Sequence, residues 1–389
     1  MNISFFEDLQ DRSLFPLTLT RPTAHLRVGI MTIAGKWIHR LDASSWGFET
    51  REYLQNKFPR LQSDSDLRLS GNVLPTPSLV QAVLALTNGQ ALVSSDGQLI
   101  AARSSNTSIN AADFENQVVF NESFSTVKRP YHIFKLNAQE IIADFEFLTY
   151  GRNSVEISST NQIIGKHPIF FEEGAKAECC IFNTQDGPIY IGKNAQVMEG
   201  SIIRGPFAMG EGSNVKLGTK IYPGTTLGPY CNVGGELNNV VLHGYSNKGH
   251  DGFLGNAVLG EWCNIGADTN CSNLKNTYEE VKVWNYHNER FDKSGEQFCG
   301  LIMGDHSKCG INTMFNTGTV VGVGCNIFGA GFPRQFIQDF SWGGAQGIEP
   351  HKIPQFEKTA KLVMQRRGKE YSEADQEIMR HVCEAYGLR

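Results

Sequence analysis

His250 stands in the polar stretch Lys248-Gly249-His250, where an imidazole could take a proton from an attacking amine or hydroxyl. Histidine suits such general-base work because its unperturbed pKa, about 6.5, lies close to neutrality. The competing account is a loop histidine making only structural hydrogen bonds. Near the amino terminus, Arg12, Arg21 and Arg27 could clamp phosphate groups through bidentate contacts. Their plainer role would be ion pairs that stabilise the fold. Nine cysteines raise the question of a metal or a disulfide, yet Cys179 and Cys180 are adjacent, a poor spacing for zinc.

The element that must position His250 is read from a six-residue period. Ile191, Val197, Ile203, Met209, Val215, Ile221, Leu227 and Val233 recur at intervals of six. Small residues follow four positions on, at Ala195, Ser201, Ser213, Thr219, Thr225 and Cys231. A second run comprises Met303, Cys309, Phe315, Val321 and Ile327, followed by Ser307, Thr313, Thr319 and Cys325. This period fits neither a helix nor an alternating strand; it is the hexapeptide repeat of a parallel β-helix, a coil that in such repeats is left-handed. Three hexapeptides close one triangular coil, with aliphatic residues pointing inward and small residues at the corners. Stacking buries a core that no single unit could bury. Five cysteines fit slots of the repeat, so structural packing accounts for them as small hydrophobes.

A short run in another phase, Phe253, Leu259, Ile265 and Cys271, separates the two. The phase breaks at 238–252 and 272–302 predict loops leaving the prism, the first carrying His250 and the second, polar and charged, reaching towards a neighbouring subunit. Residues 1–150 alternate between strand patterns (3–6, 67–69, 91–93, 99–102) and helix patterns (30–41, 78–86), which predicts an α/β domain over a mostly parallel sheet. After 333 the period ends. Residues 341–344 read as a turn, and two helices follow, 356–367 and one capped by Ser372 that runs through 386. These are expected to cover the end or side of the prism.

The chain has 389 residues and a net charge of −5, with mixed signs and no basic cluster, which argues against a nucleic-acid partner. No apolar run approaches the ~20 residues of a membrane span. The first residues lack a basic segment followed by an apolar one, so a cytoplasmic protein is expected.

The stretch Arg12-Ser-Leu-Phe-Pro-Leu-Thr-Leu-Thr-Arg-Pro22 resembles the Arg-x-x-x-Pro-Leu-Thr…Pro-Lys segment of sugar-1-phosphate nucleotidyltransferases. Residues 228–250, 253–256, 264–269, 272–275 and 303–312 resemble the acetyltransferase half of the bifunctional enzymes of UDP-N-acetylglucosamine synthesis, in an alternative bacterial and archaeal branch. The likeness covers most of residues 160–333. It implies a Rossmann-like nucleotidyltransferase domain over 1–155, a left-handed β-helix acyltransferase domain over 156–335 and a helical tail over 336–389. It further implies an acetyl-CoA-dependent N-acetyltransferase acting on an amino-sugar phosphate, with His250 as base. Asn264 and Asn273 would then position substrate or the thioester carbonyl, unless they form structural amide ladders between coils. Gly310, Ile311 and Gly329 would hold the pantetheine arm of the cofactor.

Two basic residues that grip the sugar phosphate in that family fall here on Tyr222 and Asn238, so Lys248 or Lys275 would substitute. The amino-terminal half departs from the pattern as well. Residues 5–11, with Glu7, Asp8 and Asp11, replace the Gly-rich phosphate loop, Thr23 replaces a lysine, and Gly71-Asn72 replaces the Gly-Asp that helps hold Mg²⁺. Sugar-1-phosphate nucleotidyl transfer with Mg²⁺ and a nucleoside triphosphate is thus set against a sensor that binds sugar nucleotides without chemistry. Some hexapeptide helices instead carry zinc on three histidines, for which His243, His250 and His306 are the candidates. The His243-x6-His250 interval lacks the expected His-x4-His spacing, so no metal is expected there. A homotrimer is expected, since a triangular prism presents three clefts between three copies.

Overall fold

A computed structural model describes residues 1–61, 67–104 and 106–389. The amino-terminal sheet has six strands in the order Ser45–Glu49, Asn2–Phe6, Leu67–Ser70, Leu99–Arg103, Gln90–Ser94, Asn116–Phe120. Three of its pairings are parallel (Asn2–Phe6 with each neighbour, and Gln90–Ser94 with Asn116–Phe120), and the two made by Leu99–Arg103 are antiparallel. Helices α1 (Ile33–Arg40) and α2 (Pro77–Leu84) begin at Thr32 and Thr76, whose hydroxyls accept from the backbone amides of Gly35 and Leu79. Leu79 and Val83 on α2 and Trp37 on α1 are buried in this domain's core.

Helix α3 (Pro130–Thr149) had no counterpart in the sequence reading. Pro130 opens it, where a missing N–H costs nothing. It lies between the amino-terminal domain and the prism. Asn137 accepts from the Gly29 amide (2.7 Å) and donates to the Gly224 carbonyl (2.8 Å) and the Thr226 hydroxyl (2.9 Å). Asp144, fully buried, accepts from Ile30 and Met31 amides and pairs with Lys36 at 2.5 Å. Its buried residues form one stripe (Pro130, Ile133, Phe134, Asn137, Ile141, Asp144, Phe145), but two of them are polar and apolar Phe147 lies outside it, so the apolar positions alone do not outline the buried face.

The second body is a parallel β-helix, as the six-residue period predicts, and it is of the left-handed class. Interior aliphatics stack coil on coil: Val197 on Val215, Val215 on Val233, Ile203 on Ile221, Cys309 on Ile327. Corner hydroxyls serve the coil above, with Ser213 donating to the Gly228 carbonyl at 2.8 Å and Ser307 to that of Gly322 at 2.6 Å. Gly228 is required by a close approach, since a Cβ there would sit 1.8 Å from the His243 carbonyl oxygen. All nine cysteines are free, and burial pushes the Cys231 and Cys325 thiols up to about 12, in keeping with a packing role.

Three expectations about the periphery change. The break at 238–252 is not a loop. Residues Glu236–Gly244 and Asn247–Lys248 are solenoid strands, and Val233 pairs with Lys248 rather than with residue 251, so this coil is three residues short. A shortened coil shifts the period just as an excursion would, and the sequence pattern cannot tell them apart. The break at 272–302 does leave the prism, carrying the hairpin Lys282–Asn285/Arg290–Lys293. It turns onto its own amino-terminal domain: Tyr286 packs edge-on against Phe15, and Lys135 pairs with Glu296. Finally, Ser341–Gly344 is a strand, paired to Asn326–Ile327 and folded back on Gly347–Pro350, so the solenoid continues past 335. Two glycines within 341–344 suggested a turn; the chain reverses just after them.

Helices α4 (Ile353–Gln365) and α5 (Glu373–Tyr386) lie along the side of the prism. Phe356 of α4 packs on His306 and Phe340, while His381 of α5 stacks on Tyr53 of the amino-terminal domain at 3.9 Å. A buried ion-pair cluster completes the seam: Arg21 pairs with Asp305 and with Glu261 (3.2 Å). Among the described residues, no helix is long and apolar enough to cross a membrane.

Candidate functional sites

The short coil places His250 on an edge of the prism. Stacked beside it are Gly234, Gly249, Gly266 and Gly310, which leave a strip of bare backbone; a Cβ on Gly266 would lie 2.3 Å from the Gly310 carbonyl oxygen. His250 is exposed and opens into a groove of about 900 Å³. Asn264 and Ile311 line the same groove, Ile311 with 70% of its surface free. Asn264 is exposed, and its neighbour Ile265 fills the interior slot. Amide stacking does occur, one residue outward from the interior slot, along Asn214, Asn232 and Asn247 (3.0 and 2.8 Å).

The far wall of the groove is α4 and the residues directly after it. Thr359, Val363, Arg366 and Arg367 face the prism across it, and Arg367 donates to Asn247 at 2.8 Å. Lys216 and Lys308 add two more cations, and the lining contains no carboxylate. Burial pushes Lys308 down to about 8, and its ammonium donates to the His306 carbonyl at 2.9 Å. The groove is therefore an anion-attracting channel with one imidazole at its edge. Sequence reasoning missed Arg366 and Arg367, since nothing local in Gln-Arg-Arg-Gly shows that a helix far along the chain returns to residue 250.

Other expected site residues lie elsewhere. Lys248 is buried, with 1% of its surface free, in an interior slot of the prism. Asn273 donates to Asn256 at 2.8 Å at a different corner, and Lys275 donates to the Glu280 carbonyl at 2.9 Å, pinning the root of the excursion. Gly310 belongs to the glycine strip, with its carbonyl accepting from the Thr313 hydroxyl at 2.9 Å. Gly329 packs against Gln346, outside the groove lining. Nor do the three histidines converge. His243 is buried, its ring contacting the Leu259 carbonyl (3.2 Å) and the Arg27 amide (3.3 Å), and burial pushes its pKa down to about 3. His306 is buried beside Trp262, and among the described residues no group of three or more His, Cys, Asp or Glu could hold a metal ion.

A second cleft, about 370 Å³, opens at the carboxyl ends of Asn2–Phe6 and Leu67–Ser70, where open α/β sheets take their ligands. Glu7, Asp8, Asp11, Thr18, Thr23 and Asn72 line one side, and Lys128 and Arg129 another. Glu7 does not point a free charge at the cleft. It accepts from the Thr23 amide (2.8 Å) and hydroxyl (2.6 Å) and the Thr50 hydroxyl, and Arg51 lies at 3.5 Å. Asp8 and Asp11 accept from the backbone amides of Gln10 and Ser13. Asn72 accepts from Ser70 (3.0 Å) and Gln98 (3.2 Å). Of the three expected arginines, Arg21 is sealed in the seam, Arg27 donates to the His243 carbonyl at 3.2 Å, and Arg12 is half-exposed beside Glu289 of the excursion. Lys128 and Arg129, directly before the helix-opening Pro130, supply the cleft's positive charge instead.

Comparison with known proteins bears on the amino-terminal half. Residues 3–153 match the family "Sugar nucleotidyl transferase". A stretch of 78 residues is 37% identical to the "Bifunctional protein GlmU" of Methanocaldococcus jannaschii, spanning 20% of this chain and 18% of that protein. Solved structures that match include the polySia-specific acetyltransferase NeuO (14% identity, TM-score 0.24, covering 53% of this chain and all of that one). Another is Arabidopsis UDP-N-acetylglucosamine acyltransferase (11% identity, TM-score 0.25, covering 59% and 90%). Residues 3–153 are thus similar to sugar nucleotidyl transferases, and the chain matches only about a fifth of the length of its curated relative.

Proposed function

We propose that the β-helix groove transfers an acetyl group from acetyl-CoA to the amine of an amino-sugar phosphate, with His250 as general base. The observation that carries this reading is the exposed imidazole beside a bare glycine strip, in a channel lined by four cations and no carboxylate. The His250 ring takes a proton from the acceptor amine as its nitrogen attacks the thioester carbonyl. The tetrahedral adduct collapses, the C–S bond breaks, and the CoA thiolate accepts the proton. Asn264 would orient the acceptor or the thioester carbonyl, and the glycine strip with Gly310 and Ile311 would seat the pantetheine arm. Arg366, Arg367 and Lys216 would hold phosphates. Working with acetyl-CoA and glucosamine 1-phosphate as probes, His250→Ala should lower CoA release by about 10²–10⁴-fold, the usual worth of general-base catalysis. Undiminished turnover would remove the assignment.

In the amino-terminal cleft the reading is binding of a nucleotide and a sugar phosphate, with nucleotidyl transfer assisted by Mg²⁺. Asp8 and Asn72 are the oxygen donors at hand for the ion. A binding domain without chemistry is the second reading, favoured by the engagement of Glu7 with Thr23, Thr50 and Arg51 where a phosphate loop would be expected. Pyrophosphate release from nucleoside triphosphates and sugar phosphates with Mg²⁺ separates the two, and steady release would eliminate the binding-only reading. The whole is proposed as a cytoplasmic homotrimer, which light scattering in solution would check.

A further inference from the structure

The interior of the prism wall that carries His250 is a column of apolar side chains: Ala177, Val197, Val215, Val233, then Ile265, Cys309 and Ile327. Lys248 occupies the place between Val233 and Ile265. It is among the most fully buried large side chains of the protein. An ammonium in an aliphatic slot is unfavourable unless its donors find acceptors. Two of them do: Nζ donates to the Gly234 carbonyl at 3.0 Å and to the His250 carbonyl at 2.7 Å. Gly234 belongs to the coil below and His250 to the turn above, so the ammonium ties that turn to the prism from inside. The same coil is the short one, and its turn at 249–252 is a bend rather than a strand. Burial pushes this lysine down to about 8, while Asp251 and Asp268 favour its charge.

We propose that Lys248 is a positioning residue for His250: its buried amine fixes the histidine's main-chain carbonyl, and with it the direction in which the imidazole enters the groove. Lys248 itself cannot reach a substrate in the groove, which removes it from the phosphate-binding role its sequence position suggested. The proposal rests on His250 being the base, so its test includes a readout that does not depend on turnover.

Lys248→Met fills the slot with an unbranched apolar chain and removes the two donated hydrogen bonds. Expected are a kcat lowered about 10–100-fold, the scale of a misplaced catalytic group, KM values for acetyl-CoA and glucosamine 1-phosphate within about two-fold of the parent, and an undiminished melting temperature. Faster hydrogen–deuterium exchange at the Glu236 and Asp268 amides, which donate to the Gly252 and Asp251 carbonyls of this turn, should accompany them. Lys248→Gln, which keeps an N–H donor, should recover part of the kcat and of the protection. Parental kcat and exchange in Lys248→Met would overturn the proposal, as would raised KM values at constant kcat. Failure of both variants to fold would also overturn it, assigning the lysine to the integrity of the coil alone. If instead the parent protein or His250→Ala shows the base reading to be wrong, the exchange experiment still decides whether Lys248 holds the turn.

Discussion

At the scale of single residues, the groove works by pairing one imidazole with a set of cations contributed from far apart in the chain. Arg366 and Arg367 belong to the end of α4, Lys216 and Lys308 to the prism. If they hold phosphates, Arg366→Ala with Arg367→Ala should raise KM for a phosphorylated substrate about 10²–10⁴-fold while leaving kcat near the parent value. Charge-assisted bidentate contacts to phosphate are worth roughly 1.5–3 kcal/mol each. The parent KM should also rise with salt, as exposed charges are screened. An unchanged KM in the double variant would show that the phosphate sits elsewhere. His250 was singled out in a polar, glycine-rich stretch through a family resemblance, and the structure leaves it exposed on the groove. Lys248 was misread, since a lysine in such a stretch reads as solvated and nothing local reveals that its Cα falls on an interior slot.

Among the elements, the excursion at 272–302 latches the halves together, and one buried carboxyl marks the latch. Asp339, at the solenoid's last coils, accepts from the Val323 amide at 2.6 Å and from the hydroxyl of Tyr286 in the excursion at 3.0 Å. Burial pushes its pKa from 3.8 up to about 7. A carboxyl whose folded pKa is raised stabilises the fold below its unfolded value and loses that contribution as pH rises through the folded one. The contribution therefore fades between about pH 4 and 7 and is absent above. Asp339→Asn, uncharged throughout, should match the parent near pH 4.5 and exceed its stability by roughly 1–3 kcal/mol at pH 8. Thermal melts at the two pH values would show it; an equal difference at both would refute the titration. The coil elements were readable wherever each turn kept three full hexapeptides, because every sixth side chain then faces inward. Where coil 234–248 drops three residues the pattern breaks, and α3 escaped the pattern because its one buried stripe includes Asn137 and Asp144 while apolar Phe147 stays outside it.

For the molecule as a whole, the two domains meet through buried polar contacts. Arg21 is enclosed with Asp305 and Glu261, and Thr20 donates to Asp305 at 2.8 Å. Arg21→Ala would leave two carboxylates facing each other without their cation. A loss of about 3–5 kcal/mol in denaturant unfolding is expected, the usual consequence of removing one partner of a buried pair. A loss under 1 kcal/mol would mean that water enters the seam. The domain order was legible from the change of period near 160, whereas the seam was not, since Arg21 lies more than two hundred residues from Glu261 and Asp305 and shares no local pattern with them.

The foreshortened turn of the spiral sets a rule for how this scaffold can vary. Whole coils added or removed at either end shift every rung together and leave the imidazole facing the same way. Changing the residue count between Val233 and Lys248 would instead rotate that edge away from α4, so length can be gained in whole coils but not within this turn.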